Sequence, residues 1–325
     1  MIDFRYHVVS IVAVFLALAV GIVLGSATLK APILRGGEQI TQDLRNDRQD
    51  LREDIVKLEQ QVRAGEGFAE QIAPRIVDGR LDDRSVLIVA APGAEGPLVS
   101  DVAVMLEQAG ASIAGTVSLR ERYLEEDTDG QLDDLVAELL PSGEDLSASS
   151  PHQRAALGLA TVLIAPQQGA TAGQGDLSGS ALGLPARAVL DGLQESGYLQ
   201  TSSTLARSAG TAVVVAPAAP DMLSPQPADA RAREDALVAL VAALDERGLG
   251  TVVTGPASAA GPGGLLTAVR SGSAGDEVTT VDSAETTAGR VAVVFGLQEQ
   301  LRGGSGDYGV AAGASGGPLP DLPVQ

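Results

Sequence analysis

The imidazole and sulfur side chains that could bind a soft metal are few in this sequence: His7, His152, Met1, Met105 and Met222, with no cysteine. Thiolate and thioether ligands select Cu(I), and imidazole suits Cu(II). No M-x-x-M, H-x-H or C-x-x-C spacing occurs, so no high-affinity copper site is legible and the metal ligands stay unknown. The missing thiols also remove disulfides, zinc ribbons and thiol catalysis, and leave the redox compartment undetermined. A Ser-His-Asp triad in the body of the chain has only His152 to draw on. That residue lies in SSPHQRAALGLA, where Ser150-Pro151 reads as a helix start and His152 as a solvated first-turn residue. No G-x-S-x-G elbow is present. APGAEGP and GPASAAGPGG follow apolar runs, where a phosphate-binding turn would sit. The first lacks G-x-G-x-x-G and the second lacks the Walker lysine. No catalytic or cofactor-binding residue is therefore assigned, and no enzymatic activity is expected.

The acidic run RERYLEEDTDGQLDDLVAEL invites a calcium test. An EF-type loop starting at Asp127 places Asp129 and Glu138 well but puts Leu132 at the glycine position. Starting at Glu125 suits Asp127, Asp129 and Gly130 but ends on Val136. A solvated acidic loop fits better. Charge is uneven along the chain. Of the 42 acids and 22 bases, 34 and 14 respectively lie from Ala64 onward, and the net charge is −20. So acidic a body repels phosphate backbones, which argues against a nucleic-acid partner.

Two helical segments come before that body. ITQDLRNDRQDLREDIVKLEQQVRAGEG sets Leu44, Leu51 and Leu58 seven residues apart, at d positions, with Thr41, Arg48, Ile55 and Val62 at a. Leu at d with β-branched residues at a is a parallel-dimer pattern, weakened in its first half by Thr41 and Arg48. Glu53 to Lys57 and Glu59 to Arg63 are i,i+4 pairs in the favourable order, and Gly65 and Gly67 are expected to close the helix. Leu44, Leu51, Ile55, Leu58 and Val62 are the candidate partner-binding residues, for a second copy or another coiled-coil protein. The same pattern also fits a single amphipathic helix lying on its own globular domain.

Residues 8–29 carry no charge. As a helix they reach roughly 33 Å, matching a hydrocarbon core of about 30 Å. The favoured reading is a retained single-pass anchor in the cell membrane. A cleaved signal is its rival, since Gly25-Ser26-Ala27 offers the small residues a peptidase wants. Arg5 on one side and Lys30 and Arg35 on the other give no clear positive-inside bias. The N-terminus is placed inside because its tail is trivially short, which leaves the bulk of the chain extracytoplasmic.

From Ser85 a rhythm begins. SVLIVAAPG, ATVLIAPQQG, TAVVVAPAAP, GTVVTGPASAAG and RVAVVFG are short apolar runs, mostly ending in Pro or Gly; ASIAGTVSL and EVTTVDS are further strand candidates. LVSDVAVMLEQAG and RAREDALVALVAALDERG read as helices between them. The pattern predicts an α/β fold, a doubly wound, mostly parallel sheet covered on both faces. Five-to-seven-residue apolar strands separated by helices are unlike the long alternating strands of a transmembrane β-barrel. The Gly/Pro/Ser-rich end is expected to be disordered. The organisation expected is an anchor over 1–30, a coiled-coil helix over 31–66, an α/β domain over 67–302 and a tail over 303–325.

The opening MIDFRYHVVSIVAVFLALAVGIVLGS resembles the start of the actinobacterial MctB family, the mycobacterial copper transport protein B group. Shared features are DFRYHVVSI, the apolar helix ending GIVLGS, the coiled-coil segment, and strands like VLIVAAPG. The resemblance covers most of the chain to about residue 300. It implies a membrane protein of the cell envelope acting in copper efflux or copper homeostasis, with copper as the transported ion and the outer membrane as an alternative location. Some relatives are linked to cell separation with a membrane partner; the alternative function, which the anchor and the coiled-coil segment themselves support, is a membrane-tethered scaffold that engages a partner's helix through residues 38–64 without transport activity.

Overall fold

The computed structural model describes residues 4–125, 132, 150–164, 182–202, 205, 207–219 and 227–320. The chain divides into two compact units, Met1–Gly65 and Glu66–Gln325. Helix α1, Phe4–Val77, supplies all the described structure of the first and opens the second. Gly65 and Gly67 therefore do not close the helix as expected. Each glycine costs about 1 kcal/mol in a helix interior, but the turns beyond them bury Ala73 and Val77 in the core of the second unit. Tertiary packing outweighs propensity there.

The second unit is built on a seven-stranded sheet in the order β3-β2-β1-β4-β5-β6-β7. Its strands are β1 (Ser85–Ala90), β2 (Ser112–Leu119), β3 (Leu199–Thr201), β4 (Thr211–Val215), β5 (Thr251–Thr254), β6 (Thr279–Val281) and β7 (Asp307–Tyr308). All pairings are parallel except the antiparallel edge pair β2–β3. The β-branched runs at β1, β4 and β5 are buried on both faces, as expected of central parallel strands. Leu87, Val89, Ala212 and Val214 face one core; Val86, Ile88, Val213 and Val215 face the other.

Helices α3 (Pro151–Leu163), α4 (Leu184–Glu195), α5 (Pro227–Arg247) and α6 (Leu265–Ser271) cover the first face. Helices α2 (Gly96–Gln108) and α7 (Thr287–Gln300), with the end of α1, cover the second. The sheet is thus doubly wound. Chain direction along it reverses between β1 and β4, which makes their carboxyl ends the topological switch point. One connection departs from the rest. From β6 the chain moves the same way along the sheet as from β4 to β5, yet passes through α7 on the α2 face. The β6–α7–β7 crossover therefore has the opposite hand to the β4–α5–β5 crossover, a rare arrangement for parallel strands.

Three expectations fail here. RVAVVFG lies inside α7, where Thr286 caps the N-terminus by accepting from the Gly289 amide at 3.0 Å, and the helix is buried nearly all round. Most of the ATVLI run belongs to α3, nucleated by a full capping box between Ser150 and Gln153; only Ile164 bridges to the sheet region, at Ala209. An all-apolar run buried on every side carries no periodicity to separate helix from strand. Nor is the Gly-rich end disordered as far as Pro320. It supplies β7, buries Tyr308, and returns through backbone bonds such as Gly309 N–H to Gly317 O at 2.8 Å.

Candidate functional site

Among the described residues one segment, Tyr6–Gly25, is long and apolar enough to cross a membrane, with a mean hydropathy of 2.9. Its side chains are exposed, as a lipid-facing helix requires. Further along α1, the five candidate partner residues Leu44, Leu51, Ile55, Leu58 and Val62 are each between 55% and 70% exposed. Thr41 at the first a position lies outside the described side chains. The polar flanks are organised within the helix. Gln49 donates to Glu53 at 3.1 Å, Lys57 pairs with Asp54 at 3.2 Å rather than with Glu53, and Arg63 pairs with Glu59 at 3.0 Å. An apolar seam is left on a helix that pairs part of its flanking charge internally.

Where α1 enters the second unit, Glu66 serves as an external cap for α7. Its Oε1 accepts from the Thr287 amide at 2.7 Å and the Thr287 hydroxyl at 2.6 Å. A carboxylate at this place meets the orphan N–H groups and positive end of the helix dipole. Arg290, one turn on, approaches Glu66 at 3.8 Å and Asp101 of α2 at 3.7 Å. Three helices on one face are tied together by this pair of charges.

A second cluster holds the far edge of the sheet. Asp282, fully buried after β6, accepts from the Val310 amide at 2.7 Å, the Ala311 amide at 3.2 Å and the Ser283 hydroxyl at 2.7 Å. Arg270 of α6 reaches it at 3.3 Å and also donates to Thr280 Oγ1 at 2.7 Å and to the Tyr308 carbonyl at 3.1 Å. Gly309, at φ +132°, passes so close that a Cβ would overlap the Asp282 carboxylate. A buried carboxylate with this many donors is a structural anchor for the segment after β7.

The histidine reading is corrected. His152 does sit in the first turn of α3, but it is buried, with Nε2 2.9 Å from the Tyr123 carbonyl and its ring edge-on to Tyr123 at 5.9 Å. The Tyr123 hydroxyl is itself buried without a partner among the described residues, and burial pushes its ionisation well above the usual phenol range. Both belong to the core on this face. At the switch point, APGAEGP forms the turn expected of it, with exposed Glu95 preceding the N-terminus of α2, where its charge opposes an incoming phosphate. Asp127, Asp129, Gly130, Val136, Glu138 and Met222 lie outside the described residues.

Two features escaped the sequence reading. A shallow depression of about 610 Å³ beside β3 is lined by Arg120, Glu121, Arg122, Gln194 and Gln200. Its charges are engaged: Arg120 with Gln200, Glu121 with Arg233, and Arg122 with the Ser196 carbonyl and the Tyr198 ring. The other is Asp245, at the end of α5, whose carboxyl is pushed up to about 6 by burial and then by nearby Glu277, against the Thr251 amide. Among the described residues no group of three or more His, Cys, Asp or Glu is placed to hold a metal ion.

Comparison with known proteins then adds a finding independent of this geometry. A family described as "Copper transport outer membrane protein, MctB" matches residues 1–318. The copper transporter MctB of Mycobacterium tuberculosis (strain ATCC 25618 / H37Rv) is 30% identical over 323 residues, spanning 97% of this chain and 98% of the relative. That of Mycobacterium leprae (strain TN) is 32% identical over 332 aligned residues, with the same coverage of both.

Proposed function

Because the chain belongs to the MctB family, we propose that it serves copper homeostasis in the cell envelope, as a single-pass membrane protein contributing to copper efflux. The observation that carries this reading is the extent of the likeness. The match runs from the apolar helix through the whole α/β domain to residue 318, and the matching relatives are named copper transporters. Copper in this reading is cargo.

The fold constrains how such a protein works. A mostly parallel sheet with helices on both faces is not the closed antiparallel barrel of an outer-membrane channel. Attachment through Tyr6–Gly25, with the α/β domain outside the cytoplasm, fits the elements better. A single helix cannot enclose an aqueous path, so transport requires several copies or another membrane component. The test is cell-associated copper in a deletion strain grown with added copper. Accumulation reversed by the wild-type chain supports the proposal; an unchanged copper content overturns it.

The exposed seam favours a second reading. In it the chain is a tethered scaffold that engages an envelope or cell-separation partner through α1 and moves no copper. The double change Leu51→Asp with Leu58→Asp is expected to abolish activity at an unchanged membrane level. Full activity in that variant would sink the scaffold reading.

A further inference from the structure

The charges beside the seam on α1 point to what covers it. Of the charged residues along residues 47–63, Glu53, Asp54, Lys57, Glu59 and Arg63 are engaged within the helix. Asp47, Arg48 and Arg52, like Asp50 at an outward c position, make no hydrogen bond or ion pair among the described residues. Arg48 and Arg52 are also i,i+4 neighbours of like charge, an arrangement that destabilises an isolated helix. These three residues occupy the g, a and e positions bordering the seam. They are the positions that meet a neighbouring helix rather than solvent.

We propose that residues 44–62 pair with the same residues of a second copy of this chain, parallel and in register. This rests on reading the seam as an interaction surface and Tyr6–Gly25 as an anchor. In such a pair each g residue faces the e residue of the next heptad on the other helix. Asp47 then meets Arg52 of the second copy and lies beside Arg48 of the second copy. One acid thus serves two bases, and the symmetry does so twice, which offsets the approach of the two Arg48 side chains across their shared a layer. The same rule sets Asp54 opposite Glu59, but each already has a cation on its own helix, Lys57 and Arg63. The apolar layers agree: Leu51 and Leu58 at d with Ile55 and Val62 at a is the combination that selects two parallel strands.

Direction and register follow from the anchor. Two copies inserted through the same N-terminal segment leave the membrane pointing the same way, and equal lengths of chain separate anchor from seam. Tethering also answers the shortness of the seam. So few heptads associate weakly when free, but confinement to one membrane converts pairing into a high-effective-concentration event.

The absence of cysteine makes the experiment direct. Full-length Leu51→Cys and Leu58→Cys chains, oxidised in native membranes, are expected to form a disulfide-linked species at twice the 32.9 kDa chain mass. Glu53→Cys, at an outward f position, is expected not to. In the Leu58→Cys background, Asp47→Arg or Arg52→Asp alone should lower the linked fraction at least threefold, and the two together should restore it. All of these side chains are exposed, so loss of folding does not confound the readout. Absence of linkage at 51 and 58, equal linkage at 53, or a linked species of another mass overturns the proposal. A linked species of another mass, together with lost activity in the Leu51→Asp/Leu58→Asp variant, leaves the scaffold reading standing with a different partner. Correct homodimer linkage with full activity in that variant does the reverse.

Discussion

Two acidic side chains illustrate opposite uses of burial. Asp282 is enclosed with donors on every side, including a cation. Removing it takes the acceptor from the Val310 and Ala311 amides and leaves Arg270 with Asp307, at 3.5 Å, as its one remaining carboxylate among the described residues, so Asp282→Ala should destabilise the folded chain by about 3 kcal/mol. Thermal unfolding in detergent will read this, together with faster proteolysis after residue 303. Asp245 is half-enclosed and poorly served, with Oδ1 buried and unpartnered among the described residues. Its carboxyl sits at about 6 in the folded state, above the roughly 3.9 of an unfolded aspartate. The native state therefore binds this proton more tightly. The stability it contributes is present below about pH 4 and is lost as pH rises through about 6. Asp245→Asn should raise the melting temperature at pH 8 by about 2–4 °C, a modest gain because solvent still reaches the group. At pH 4 variant and wild type should coincide. Neither role was legible in the sequence. Asp282 is defined by amides nearly thirty residues away, and His152 was misread for a similar reason, since its partner carbonyl belongs to Tyr123.

At the scale of elements, legibility followed burial pattern. Strands β1, β2, β4, β5 and β6 were readable as β-branched runs closed by turns, and α2 and α5 as amphipathic segments between them. The heptad on α1 was readable because its apolar residues repeat against a charged background. Helix α3 was readable at its start, from Ser150-Pro151, but not in its second half, and α7 not at all, since their sequences are apolar on nearly every side and carry no periodicity. Caps can be tested singly. Thr286→Ala should cost about 1 kcal/mol, seen as a lower melting temperature. The glycines of α1 offer the reverse test. Nothing lies within 4 Å of a Cβ placed on Gly65 or Gly67, so Gly67→Ala should gain about 1 kcal/mol of helix stability. Slower hydrogen exchange over residues 60–72 will check it, and unchanged exchange would mean that packing alone holds these turns.

For the whole molecule, the doubly wound architecture was predictable from the alternation of apolar strands and helices, whereas the strand order was not. β1 pairs with β4, more than a hundred residues on, and nothing local records that neighbour. The edge was hardest of all, because two residues of strand and one buried carboxylate hold a segment whose composition reads as disorder. The reversed hand of the β6–α7–β7 crossover is intelligible in these terms. A strand of two residues carries little of the twist that enforces handedness, and Asp282 and Arg270 grip its flank instead. This has a consequence for the order in which the chain is made. Asp282 and Arg270 enter the interior with β6 and α6, but their last partners are contributed at residues 308–311. A nascent chain that has grown only as far as α7 therefore carries an incompletely paired ion pair at an open sheet edge. Synthesis of some dozen further residues supplies the missing partners of the one and covers the other.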